Sequence, residues 1–127
     1  MTLSGRDVLL VGHSFQTADA LTRRLRQWGF RCHFAGTMWT AWLLLSLMQI
    51  DVVLSDMHLS DGTGVRMLGI LAGLPITAFL CLPLESGCFW LPAIDAGKKC
   101  LGLPALRPSE FANELEEMSR RLPVSPA

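Results

Sequence analysis

The sequence predicts an α/β domain in which five strands alternate with five helices, a doubly wound parallel (βα)5 sheet. Three observations carry this. Short apolar runs alternate with helix-patterned stretches along the chain, as β/α units require. The runs DVLLVG (7–12) and DVVLSD (51–56) are apolar without alternation, as strands covered on both faces are. The 127 residues suit one domain with one core and are too few for two.

Each element has its own signal. DVLLVG is a fully buried first strand. From Gln16 to Trp28, Leu21, Leu25 and Trp28 fall at the i, i+4, i+7 spacing of an amphipathic helix, which Gly29 ends. RCHFAG (31–36) is a short second strand near an edge. Thr37 caps a second helix running to about Met48. That helix is apolar on more than one face, whereas a surface helix needs only a stripe. Some of Trp39, Trp42, Leu44 and Leu45 are therefore expected to face a partner or a covering loop. DVVLSD is the third strand. Val65 to Ala72 is a weak helix with Gly69 inside it. ITAFLCL (76–82) is the fourth strand. The following segment holds Pro83, Gly87, Pro92 and Gly97, a density that breaks regular helices, so an irregular fourth helix is expected. KCLGLP (99–104) is the fifth strand. Pro108 then opens a last helix with Phe111, Leu115, Met118 and Leu122 along one face. Glu110 near its start and Arg120 and Arg121 near its end suit the helix dipole. Residues 1–122 make a single domain, and 123–127 are expected to form a disordered tail.

Composition excludes several classes. Half of the residues are apolar and 17% charged, and the acidic and basic residues balance at 11 each. No global field then attracts nucleic acid or an anionic surface. The triplet Arg23, Arg24 and Arg26 reads as a solvated helix face. The most apolar stretch, AWLLLSLMQI, is about half the length of a bilayer span, so no membrane insertion is expected. The N-terminus lacks the apolar core and cleavage site of a signal peptide, which points to the cytoplasm. Cys32, Cys81, Cys88 and Cys100 show no CxxC pair and no zinc-type spacing, and read as buried thiols. The glycines of GTGVRMLG do not form a dinucleotide fingerprint, and Ser14 and Ser86 have no identifiable triad partners. In sheets of this kind the ligand crevice lies beyond the carboxyl ends of the strands. Gly12, His13, Asp56, Leu80, Cys81, Leu103 and Pro104 are the strand-end residues expected to meet there.

With these residues placed, the chain from about Arg6 to Leu122 resembles the receiver domain of two-component response regulators. The most specific piece is DMHLSDGTG (56–64), which is similar to the family pattern D-[LM]-x-[LM]-P-D-G-x-G with Ser60 in place of proline. Ala96 and Gly97 before a strand and Pro104 match the approach to the family's Lys-Pro, and RPSEF resembles the start of its last helix. The resemblance implies a flavodoxin-like sheet in order 2-1-3-4-5 and a phosphoryl group accepted on Asp56. It also exposes losses. Gly12 and His13 stand where the family has two acidic Mg²⁺ ligands. Leu80, with Cys81 beside it, stands for the Ser or Thr, and Leu103 for the lysine before Pro104. Of the family's site side chains only Asp56 remains.

Carboxylate phosphorylation depends on positioning and charge neutralisation. Each missing group costs about 2–4 kcal/mol if it acts as a single electrostatic donor does. Asp61 is expected to shape the turn. His13 either lies beside Asp56, where its protonated ring would stand in for a metal, or points to solvent or caps the next helix. His58 is expected at the crevice rim. The leading expectation is a degenerate, pseudo-receiver-like domain that is not an enzyme, takes no cofactor or metal, and acts by contact with a sensor histidine kinase or another signalling protein, or as a homodimer. MWTAWLLLSLM and CFWLP are its expected docking surfaces. The alternatives are a genuine phosphoacceptor using Asp56, and a flavodoxin-like domain binding a small molecule at Gly12, His13, Asp56, Leu80 and Leu103.

Overall fold

The computed structural model describes residues 7–84, 87–95, 97–100 and 103–121. Ser86, Ala96, the middle of the expected fifth strand at Leu101 and Gly102, Leu122, and the expected tail lie outside these residues. The elements in order are β1 (Asp7–Val11), α1 (Phe15–Gln27), β2 (Arg31–Ala35), α2 (Met38–Leu47), β3 (Val52–Asp56), β4 (His58–Leu59), β5 (Gly62–Thr63), α3 (Gly64–Leu71), β6 (Thr77–Leu84), β7 (Gly87–Asp95), β8 (Lys98–Lys99) and α4 (Pro108–Arg121). The main sheet runs β2-β1-β3-β6-β7-β8, and β4 pairs with β5 in a small hairpin. The first four of these strands are parallel, so the predicted order 2-1-3-4 holds, with β6 as the fourth strand and β2 at the edge.

Side chains alternate across this sheet and divide the core into two halves. Leu9, Val11, Val53, Ala78 and Leu80 face Ala41 of α2 and Met67 and Leu71 of α3. Val8, Leu10, Val52, Leu54 and Phe79 face Leu25 of α1 and Phe111, Leu115 and Met118 of α4. Helices therefore cover both faces, and every residue of β1 is buried. This is the doubly wound, flavodoxin-like arrangement. Local signals set its helices: Ser14 accepts from the Thr17 amide to cap α1, and Thr37 accepts from the Thr40 amide to cap α2. Leu44 and Leu45 pack partly against the core, whereas Trp39 and Trp42 are exposed and stacked 5.6 Å apart.

The sheet departs from expectation after β6. The expected fourth helix is absent, and its segment forms β7, antiparallel to β6. The proline density that argued for an irregular helix in fact excludes one. Phe89, Trp90, Leu91 and Ile94 are good strand formers. Pro92 lies beside a bulge, with Ala78 opposite Ile94 and Phe79 opposite Pro92; a bulge is where a sheet tolerates proline. β7 thus takes the fifth place in the sheet, running against the parallel direction. Of the expected fifth strand, Lys99 belongs to β8, where Lys98 and Lys99 pair with Asp95 and Ile94; Cys100, Leu103 and Pro104 are not in a strand.

At the opposite end of β1 from the crevice, Asp7 ties the edge strand in place. Arg31 lies directly across the β1–β2 ladder and donates from Nε to Oδ1 (2.9 Å) and from Nη2 to Oδ2 (2.6 Å). His33 Nε2 donates to Oδ1 at 3.0 Å. The Arg31 hydrogen bonds hold the Asp7 carboxyl below its usual range, against the opposing effect of burial. Because the folded pKa is depressed, this contribution is complete above the ordinary aspartate value of about 3.9 and is lost as pH falls through the folded value. Asp7→Asn should lower unfolding free energy by about 2 kcal/mol at pH 7, the range for a charged hydrogen bond. Urea melts should show that difference shrinking below pH 4, and a constant difference down to pH 2 would refute the assignment.

Candidate functional site

The crevice is built where β1 and β3 end, beside Cys81 in the middle of β6. Asp56 is the last residue of β3 and lies opposite Cys81 in the β3–β6 ladder. Its side chain is 28% exposed, whereas the His13 side chain is 1% exposed. Gly12 makes the turn between β1 and His13. Its φ of 77° is left-handed, and its amide donates to Ala35 O at 2.8 Å. A Cβ at Gly12 would fall on Leu59 Cδ2, with Asp56 Cβ 3.5 Å away. Leu59 of the β4–β5 hairpin therefore fills the space that a side chain at this position would need.

His13 takes the inward of its two expected orientations. Its Nε2 lies 2.7 Å from Leu54 O, and its Nδ1 lies 3.9 Å from Asp56 Oδ1. A carbonyl only accepts, so Nε2 carries the hydrogen and the lone pair of the neutral ring sits on Nδ1. Burial pushes the imidazole below the usual histidine range, with the Leu54 carbonyl and the Asp56 carboxylate acting in the opposite sense. Burial thus works against the protonated ring that was expected to stand in for a metal. Burial also pushes the Asp56 carboxyl up, with His13 and His58 opposing. His58 is exposed, as the rim position implies, in the β4–β5 hairpin.

The glycines and Asp61 shape the floor. Gly64 N donates to Met57 O at 2.8 Å, and a Cβ on Gly64 would lie 2.5 Å from Asp56 O and 2.8 Å from Leu80 Cδ2. Only glycine allows that approach. Leu80 points to the α2–α3 half of the core, away from Cys81. Asp61 does more than shape its turn. Its two oxygens accept from the amides of Met38 (2.8 Å) and Trp39 (3.0 Å), so the hairpin clamps the first turn of α2. Those bonds hold its carboxyl below the usual range.

The far side of the crevice is Trp90, which sequence reasoning placed on a docking surface. It is 3% exposed and lies opposite Cys81 in the β6–β7 ladder. Its ring is 5.6 Å from His13 and stacks on Phe111 at 4.2 Å. CFWLP is thus not an exposed patch at Trp90. Leu103 and Pro104 do not join the crevice. They line a cavity of ≈ 390 Å³ with Thr77, the first residue of β6, and Ile94, Cys100 and Met118. The antiparallel course of β7 explains both facts: it brings Trp90 to the crevice and carries the later residues elsewhere. The apolar run around Phe89 and Trp90, both strong strand formers, was the available signal.

The assembled set is therefore His13, Asp56 and Cys81, whose ligand atoms all lie within 4.8 Å of one another. This donor set does not fit Mg²⁺, which takes oxygen ligands in an octahedron. Gly12 has no ligand side chain, and an imidazole and a thiol stand in place of the missing oxygens.

A scan against protein-family models finds no match, and no curated protein matches. Among solved structures, the signal receiver domain of an HD domain-containing protein from Pseudomonas fluorescens Pf-5 is similar, with 26% identity and a TM-score of 0.55 over 59% of this chain and 62% of that one. The chain thus spans less than two thirds of that structure. The non-phosphorylated receiver domain of HemR from Leptospira biflexa has 21% identity and a TM-score of 0.61, over 96% of this chain and 98% of that one. The fold and these likenesses define the class: the chain is a receiver-like domain. Among the described residues, no helix is long and apolar enough to cross a membrane.

Two outcomes follow. Gly12→Asp should lower unfolding free energy by about 2–4 kcal/mol, from left-handed backbone strain plus overpacking against Leu59, and should create no Mg²⁺ site by calorimetry. A stable variant that binds Mg²⁺ would overturn this reading of the turn. Nitrogen-15 NMR at pH 7 should show His13 as the Nε2–H tautomer, titrating below the usual histidine range, and Asp56→Asn should lower that midpoint further by removing a favourable charge. A His13 ring protonated at pH 7 would refute the geometry.

Proposed function

We propose that this receiver-like domain acts in a two-component signalling pathway by protein–protein contact, without ordinary Mg²⁺-dependent phosphorylation of Asp56 and without enzymatic activity. The observation that carries the reading is the Gly12 turn: Leu59 occupies the space of a first acidic ligand, and the neutral, buried His13 replaces the second. Phosphoryl transfer to a carboxylate needs neutralising charge around the transferred group, and neither Gly12 nor neutral His13 brings any.

The partner is a sensor histidine kinase or another signalling protein, or a second copy of the chain. Trp39 at 61% exposure and Leu47 at 80% give α2 an apolar outer face, anchored at its start by Asp61 of the crevice hairpin. Exposed aromatic residues of this kind are enriched at protein interfaces. The cytoplasm suits such a role. One observation favours the alternative of a genuine phosphoacceptor: the Asp56 carboxyl remains partly open to solvent at the end of β3.

Beryllofluoride with Mg²⁺ separates the two. Heteronuclear NMR spectra of the wild-type chain should be unchanged at millimolar concentrations of both. Saturable shifts around Asp56 that vanish in Asp56→Asn would establish the phosphoacceptor instead.

A further inference from the structure

The crevice that rejects Mg²⁺ has the ligands for a different ion. We infer that His13 Nδ1, an Asp56 carboxylate oxygen and Cys81 Sγ form a site for a borderline-soft divalent cation, with Zn²⁺ as the natural occupant. The inference rests on the reading of the crevice as unsuited to Mg²⁺ and adds a ligand class to it.

Three observations converge. The first is donor chemistry. Imidazole nitrogen, thiolate sulfur and one carboxylate oxygen suit zinc and its neighbours, whereas magnesium selects oxygen. The second is preorganisation. Metal-bound histidines commonly donate their other ring N–H to a carbonyl or carboxylate, which fixes the tautomer and aims the lone pair. His13 does this already: Nε2 donates to Leu54 O at 2.7 Å, and the packed Trp90 ring holds the imidazole from the side. Nδ1 then points toward Asp56 at 3.9 Å, beyond hydrogen-bond reach but near the separation of two ligands on one ion. The third is placement. Asp56 and Cys81 are register partners on adjacent strands, so the sheet itself holds two of the three donors side by side.

The distances need only a small contraction. Bonds of about 2.0–2.3 Å set tetrahedral ligands roughly 3.3–3.7 Å apart, against a largest separation of 4.8 Å here. Asp56, the one partly exposed member, has the freedom to turn inward. Its open side leaves the fourth position to solvent. Coordination converts the Cys81 thiol to thiolate and releases its proton to water. Such an ion also supplies the positive charge that neutral His13 withholds from Asp56.

Cobalt(II) added to the chelator-treated full chain tests this. One Co²⁺ per chain should bind, with a thiolate-to-cobalt charge-transfer band and the intense visible bands of a four-coordinate ion, and Zn²⁺ should bleach both stoichiometrically. Cys81→Ser should abolish the charge-transfer band and weaken binding by more than about 100-fold, beyond the 10–100-fold of losing an outer-shell partner. Asp56→Asn, at a partly exposed position and with little risk to folding, should keep the band and weaken binding at least about 10-fold. If circular dichroism shows Cys81→Ser unfolded, Cys81→Ala takes its place with the same expectation. No charge-transfer band in the parent, or a band unchanged in the folded Cys81 variant, refutes the site and leaves the preceding reading standing. Displacement of Co²⁺ by excess Mg²⁺ refutes both.

Discussion

The antiparallel ladder between β6 and β7 governs the chemistry of the crevice. A parallel fifth strand that ended level with β1 and β3 would deliver its last residues toward Asp56. β7 runs the other way, so the crevice receives a residue from within the strand, Trp90, opposite Cys81. Trp90 also exchanges backbone hydrogen bonds with Leu106 (2.9 and 2.8 Å) and stacks on Phe111 of α4. The indole that walls the crevice is therefore a core residue first. It cannot be replaced by a cation without opening the α1–α4 half of the core, where it packs beside Phe79, Cys81 and Leu115.

Burial and electrostatics then work in one direction. Apart from the exposed His58, the positions around Asp56 are apolar or carry an imidazole whose charge burial disfavours. Leu59 occupies the space beside Gly12, and Leu80 turns into the other core half. His13 is held uncharged by desolvation although a carboxylate lies 3.9 Å away. A partly buried carboxylate and a buried imidazole that both disfavour their charged forms gain from a cation placed between them. The crevice is ordered all the same, because backbone contacts set its shape: Gly64 against the Asp56 carbonyl, Gly12 against Ala35, and the Leu54 carbonyl against His13.

The crevice is also mechanically joined to the exposed helix. Asp61 belongs to the hairpin that carries Leu59 and caps α2 through the Met38 and Trp39 amides. A change in how the hairpin sits over Asp56 therefore bears directly on the orientation of Trp39 and Trp42.

Local pattern was enough for much of this protein. Apolar runs marked the first, third and fourth strands, because a strand covered on both faces has no polar side to show. Helix caps at Thr37 and Pro108, the D-G-x-G turn and Asp56 at a strand end were equally plain, since each depends on residues within a few positions. The direction of β7 was not, because Pro83, Gly87 and Pro92 break a helix whether the chain then wanders or turns back as a strand, and only pairing with β6 decides between them. Cys81 and Trp90 lie on consecutive strands, but His13 comes to them from the far end of the sequence, and no periodicity within one segment encodes that meeting. The sequence by itself determined that Asp56 had lost its charged companions; tertiary packing alone decided which side chains took their places, because contacts across a sheet are set by strand order and register rather than by local composition.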